Sequence, residues 1–397
     1  VAAQRAIGER PPAIVLGGDA NAVSVARHLS RAGIAVYALG SGHADPVRYS
    51  RHRRAYVRFQ AGAEIQRRWL QWLEREAPAL GGAVLLPCND EGLELIAGSR
   101  GRLVELGYRP FEADDQVLAA MLDKRRTYAI ARAVGVPAPR TVTLSDPASV
   151  EDAADLGFPL ALKPAHSHVL SRRPGWGKVV LVRDRAELDA AVARVRGLDV
   201  EFLATEIIPG ADNEFVSYYS YIDGRGEALF HFTKRKLRQH PPSFGLITYQ
   251  ITEWHPEVAD LGLRFFQGAG VRGLANVEFK RDPRDGRFKI IECNHRFTAA
   301  NEIVQIAGLN LALLTYERAL GRDGPPLNGF REGIRMWHPV DDFRVLLELR
   351  AKGELSVGAW LRTLAHRQRM PVFWWSDVGP TLVNGVRAAR WVRRGIR

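Results

Sequence analysis

The chain has 397 residues, 46% of them hydrophobic and 25% charged, which supports a packed core over two or three domains and excludes global disorder. The two cysteines, Cys88 and Cys293, exclude a disulfide scaffold and a four-cysteine zinc site, and no apolar run approaches the ~18 residues of a membrane-spanning helix. The net charge of +12 raises nucleic-acid binding, but past residue 360 eight arginines face one acid, and a basic tail on a near-neutral body argues against a DNA-binding fold.

In chain order, AIVLGG (13–18) reads as a buried strand ending in a glycine turn, and DANAVSVARHLSRAG as a helix stopped by Gly33. IAVYALG is the next strand. This order opens a doubly wound parallel sheet. The turn GGDAN is not GxGxxG, so no dinucleotide fingerprint is present, and Gly17 and Gly18 are expected to serve a tight turn. AVLLPC (83–88) is a further strand, followed by a helix. Asp114 and Asp115 open a helix expected to run on through MLDKRRTYAIARAVG, with Pro137 and Pro139 marking a boundary. FPLALKPA is a strand ending in Lys163. SRRPGWGKVVLV is a glycine-bearing turn into a strand, and RDRAELDAAVARVRG an amphipathic helix. EFLATEIIPG, NEFVSYYSYI and EALFHFTKRKL are strands in series. After a helix at 258–268, ANVEFKRDP and RFKIIECNHRF form a hairpin about Asp285-Gly286.

That hairpin carries the strongest chemical signal. Glu292 and Asn294 are two apart and share a strand face, and the turn would bring Glu278 beside them. Three oxygen donors on one surface suit Mg²⁺. The neighbouring Val277, Phe279, Ile290 and Ile291 are apolar, so both carboxylates are expected within a buried sheet, where a cation offsets their desolvation. Arg296 is expected on the same face, aimed at an anion. Lys124 at a helix start and Lys163 at a strand end are weak signals singly. Glycines in the 171–178 loop would let backbone N–H groups approach phosphate.

Together, LDKRRTYAIARAVGVPAPRT, FPLALKP, GWGK, TEIIPG, NEF, VEF and IECNHR, in this order over roughly residues 11–320, resemble the ATP-grasp superfamily. The resemblance implies an α/β ATP-grasp fold: a Rossmann-like pre-ATP-grasp domain (1–112), a small subdomain with a glycine-loop lid (113–200), a large subdomain with the Mg-ATP site (201–320), and a C-terminal extension (321–397). It implies that Lys124, Lys163, Gly175 and Gly177 meet ATP phosphates, and that Glu206 meets the adenine amino group. Ile207 and Ile208 would read the adenine edge through their backbone, and Glu214 the ribose. Glu278, Glu292 and Asn294 would hold two Mg²⁺ ions, or Mn²⁺, and Arg296 would stabilise an acyl phosphate. His295 stands where the family often has proline and is expected to be structural.

More closely, TKRKLRQHPPSFG (233–245) and FWWSDVGPTL (373–382) resemble a bacterial subgroup of ATP-dependent carboligases. There Lys236 and Arg238 would share a strand face and bind a substrate carboxylate. The implied reaction joins a small-molecule carboxylate to an amine through an acyl phosphate. Two alternatives are kept: an ATP-grasp carboxylase working through carboxyphosphate, and a basic binding protein using the tail PTLVNGVRAARWVRRGIR on a membrane surface or nucleic acid. A docked or solvated tail is favoured, and no nucleic-acid partner is expected. His231, His240, Glu253 and His255 remain open as the base for the amine. A homodimer follows from the resemblance alone. VAAQRAIGERPP lacks the apolar stretch of a secretory signal, and the expected compartment is the cytoplasm.

Overall fold

Three sheets organise the described residues, each from a different hydrophobic pattern. The computed structural model describes residues 10–166, 179–195, 198, 200–327 and 329–385. The glycine loop with Gly175 and Gly177, and the basic tail beyond Gly385, lie outside the described residues.

Strands β1 (Ala13–Leu16), β2 (Val36–Gly40) and β4 (Val84–Pro87) are almost wholly buried, as in a parallel sheet covered on both faces. With β3 (Ala55–Arg58) and β5 (Arg109–Pro110) they run parallel in the order β3-β2-β1-β4-β5. Helices α1 (Ala20–Arg31), α2 (Ile65–Leu80) and α3 (Asp90–Glu105) connect them. The strand order reverses between β1 and β4, which leaves a crevice at their C-terminal ends. Gly17 there has a φ of +126°, open to glycine without strain. A Cβ on Gly18 would lie 2.1 Å from the Asp45 carboxylate. Both glycines thus serve local packing.

The helix expected from Asp115 to Gly135 is two helices. Asp123 is extended (φ −99°, ψ 110°) and separates α4 (Asp115–Leu122) from α5 (Lys124–Ala133). Its carboxylate accepts from the backbone N–H groups of Arg125 and Arg126 and so caps α5. This break places Lys124 in the first turn of α5.

The second sheet is antiparallel, in the order β6-β9-β7-β8. It comprises β6 (Thr141–Leu144), β7 (Leu160–Pro164), β8 (Val180–Val182) and β9 (Phe202–Glu206). Helices α6 (Pro147–Ala154) and α7 (Arg185–Val195) share its apolar core through Val150, Leu188 and Val192.

The third sheet has seven strands, ordered β14-β13-β10-β11-β12-β15-β16. They are β10 (Phe215–Ile222), β11 (Phe232–His240), β12 (Leu246–Thr252), β13 (Gly273–Arg281), β14 (Phe288–Asn294), β15 (Arg335–Trp337) and β16 (Gln368–Arg369). Alternation divides the side chains between two faces. Tyr218, Val277 and Phe279 join a core with α4, α5 and α8 (Pro256–Gly268). Tyr219 and Phe232, on the other face, join the core of the first sheet together with α9 (Asn301–Ala307) and α10 (Leu311–Ala319). Helix α11 (Pro339–Ala351) packs on β11 and β12, and α12 (Val357–Leu364) packs on α11. Among the described residues no helix is long and apolar enough to cross a membrane.

Candidate active site

β13 and β14 pair antiparallel with Glu278 opposite Glu292 and Asn276 opposite Asn294. Opposed residues point to the same face. Asn294 Nδ2 lies 3.3 Å from Glu292 Oε1. The three expected oxygen donors therefore meet. Burial of both carboxylates, however, holds only for Glu278, which is 8% exposed. β14 is an edge strand, so Glu292 faces solvent. Among the described residues no three His, Cys, Asp or Glu side chains converge as a metal cluster. The donor set is two carboxylates and an amide, hard oxygens that fit Mg²⁺ completed by phosphate and water.

Cations gather around these donors. At the end of β7, Lys163 Nζ donates to the Tyr128 hydroxyl at 2.9 Å, which donates in turn to the Ile291 carbonyl at 2.8 Å. Burial pulls the Lys163 ammonium down to about 8, against the opposing field of Glu292. Lys124 is lowered by burial too, again offset by Glu292. Its backbone N–H donates to Ala165 O at 3.1 Å, which holds α5 against the end of β7. Arg296 differs from the expected arrangement. β14 ends at Asn294, so Arg296 lies in the loop beyond and pairs with Asp90 at the start of α3. Phe297 N–H donates to Pro87 O, which sets this loop across the crevice of the first sheet. The charge of Glu292 still reaches Arg296.

Glu206 has different partners from those expected. Its carboxylate accepts from the Arg140 N–H at 2.9 Å and lies 3.2 Å from Arg284 and 3.6 Å from Lys289. With the Arg140 guanidinium at 3.3 Å as well, three cations surround it and tie β9 to the β13–β14 turn. Lys280 went unrecognised in the sequence. Its buried Nζ donates to the carbonyls of Ile208 and Gly210, both at 2.9 Å, and so shapes the segment containing Ile207 and Ile208. Glu214, in a short 3-10 turn (Asp212–Glu214), is partly exposed near Arg281.

The shared face expected for Lys236 and Arg238 is broken by a bulge between them. Lys236 Nζ reaches Glu278 Oε1 at 2.9 Å. Arg238 instead forms a bidentate pair with the fully buried Asp342 of α11, at 2.8 and 2.7 Å. Arg238 is therefore drawn away from Glu278 and ties β11 to α11. His295 is fully buried and donates to Arg272 O, the expected structural role. His231 meets Tyr218, His240 meets Glu348, Glu253 meets Arg235 and His255 caps α8. A second residue missed from sequence is Lys234. It lies two residues before Lys236 on β11, and that spacing alone places it on the site face.

No family model matches the chain. It is 26% identical over 320 residues to a D-aspartate ligase of Enterococcus faecium, covering 77% of this chain and 75% of that one. It is 28% identical over 209 residues to a D-alanine–D-alanine ligase of Ectopseudomonas mendocina, covering 50% of this chain and 63% of that one. Its fold matches a biotin carboxylase domain of Hydrogenobacter thermophilus 2-oxoglutarate carboxylase, solved with MgADP and bicarbonate. The TM-score is 0.62 at 17% identity, over 82% of this chain and 74% of that one. In sequence and in fold the chain is thus similar to enzymes of the ATP-grasp superfamily.

Proposed function

We propose that this protein is an ATP-dependent, ADP-forming carboxylate–amine ligase. The observation that carries the reading is the Glu278–Glu292–Asn294 cluster, joined through Ile291 and Tyr128 to Lys163. Lys124 and Lys163 meet ATP phosphates, the backbone of Ile207 and Ile208 reads the adenine edge, and Glu214 reaches the ribose. Glu278, Glu292 and Asn294 hold Mg²⁺, which when bound offsets charge on the phosphate oxygens. The substrate carboxylate attacks the γ-phosphorus, the bond to ADP breaks, and an acyl phosphate forms. An amine then attacks the acyl carbon, loses a proton, and phosphate departs. The chain's part is mainly electrostatic: Lys163 and Arg296 face the charge of the transferring group.

Likeness to the D-aspartate ligase along most of both chains favours the ligase, whereas the likeness to the biotin carboxylase concerns fold alone. The test is incubation with Mg-ATP, hydroxylamine and a panel of amino acids, aromatic acids and small dicarboxylates, scoring ADP and hydroxamate together. A carboxylate-dependent hydroxamate, lost in Lys163→Ala, is expected. ADP release that requires bicarbonate would move the protein to the carboxylases. ATP that fails to raise the melting temperature would remove the enzyme reading and leave the basic tail to explain.

A further inference from the structure

Among the described residues, the site face of the large sheet holds one cation without a partner. Lys234 is 1% exposed. Among the described residues its ammonium has no hydrogen bond or ion pair, and its nearest recorded contact is the Tyr219 ring, 5.8 Å away. Other buried cations have an ion-pair or carbonyl partner: Arg27 has Asp377, Lys236 has Glu278, Arg238 has Asp342, and Lys280 has two carbonyls. A buried, unpaired ammonium is costly. Burial pulls Lys234 down to about 7, with Glu278 opposing and Lys236 adding to the effect. An anion bound beside it would relieve that penalty.

Two neighbours share the condition. Ser217, directly opposite Lys234 on β10, is 3% exposed, and its hydroxyl has no protein partner among the described residues. Gln250, opposite Lys236 on β12, is 1% exposed and its Oε1 is buried without a partner. The register Lys234–Ser217–Glu278 puts the lysine two strands from the metal-donor cluster. At ~4.8 Å per strand the two backbones are about 10 Å apart, a gap that one lysine side chain and a small carboxylate span.

We infer that Lys234, Ser217 and Gln250 form the subsite for the carboxylate substrate, and that this substrate is a small amino acid. Lys234 and Ser217 take its carboxylate, and Gln250 Oε1 accepts from its ammonium. The inference rests on the ligase reading and adds the substrate class to it.

The test is calorimetric titration of the full chain saturated with Mg·ADP, using D-alanine, L-alanine, D-aspartate, L-aspartate and propionate as probes. Wild type, Lys234→Met, Lys234→Arg and Gln250→Leu are compared. At least one amino acid is expected to bind wild type and to lose about tenfold or more in Lys234→Met, the scale of a charge-assisted hydrogen bond. Lys234→Arg retains part of the affinity, and Mg·ADP affinity stays within about twofold throughout. Gln250→Leu weakens the amino acid but not propionate. A tenfold loss of Mg·ADP affinity in Lys234→Met would make Lys234 a nucleotide ligand and overturn the inference. So would a panel in which no probe separates wild type from Lys234→Met. Failure of the ligase reading itself appears separately, as wild type that does not bind Mg·ADP or that releases ADP only with bicarbonate.

Discussion

Lys163 and Tyr128 are joined by a 2.9 Å hydrogen bond from ammonium to phenol oxygen. The phenol in turn donates to the Ile291 carbonyl, on the strand that carries Glu292 and Asn294. One side chain thus couples a lysine of the second sheet to the donor strand of the third. Tyr128→Phe removes that link without opening a cavity. Its kcat/KM for ATP is expected to fall about tenfold, the scale of one hydrogen bond to a charged group. Lys163→Ala and Glu292→Ala are expected to remove nearly all turnover while circular dichroism and melting stay native-like. A double-digit percentage of residual activity in either would sink the assignment.

The tie between Asp377 and α1 gives a stability prediction. Arg27 is fully buried and pairs with Asp377 at 2.8 Å, and Asp377 also accepts from Ser50 at 2.7 Å and from the Arg51 N–H at 2.9 Å. Asp377→Ala leaves the guanidinium buried without its ion-pair partner, which costs ~3–5 kcal/mol. Urea denaturation should register that loss, whereas Arg27→Leu combined with Asp377→Leu should recover part of it. Equal losses in the single and double variants would contradict this account.

The lowered lysines set a pH dependence. Lys163, at about 8, and Lys234, at about 7, are bases whose values fall on folding. Between those values and the ordinary 10.5 the folded chain holds fewer protons than the unfolded one, so stability rises with pH across that window. Below about 7 the Lys234 penalty is complete. Lys234→Met should therefore gain more over wild type near pH ~6.5 than near pH ~10. Denaturant midpoints at the two values check it, and a gain independent of pH would refute it.

Lys280 fixes the carbonyls of Ile208 and Gly210. Lys280→Met frees both and should raise KM for ATP by about tenfold, with a smaller effect on kcat, because the lost interaction orders the segment proposed to read the adenine in ground and transition states alike. A change confined to kcat would show that the segment does not bind nucleotide.

Local patterns in the chain determined a good deal. The apolar runs AIVL and VLLP and the glycine after the first strand pointed to the parallel sheet. Alternation and one turn sufficed to bring Glu278, Glu292 and Asn294 together, since period-two geometry and a hairpin are both short-range. The break at Asp123 escaped notice because helical spacing continues across it, and only an aspartate capping two N–H groups stops the first helix. Tertiary structure alone decided which charges belong to the site. Arg238 and Lys236 look alike in KLR, yet a bulge sends one to Asp342, 104 residues away in sequence, and leaves the other beside Glu278. Glu206 and Lys280 likewise found partners 66 to 83 residues distant. Burial of a charge depends on what the rest of the chain packs around it, and no local spacing encodes that.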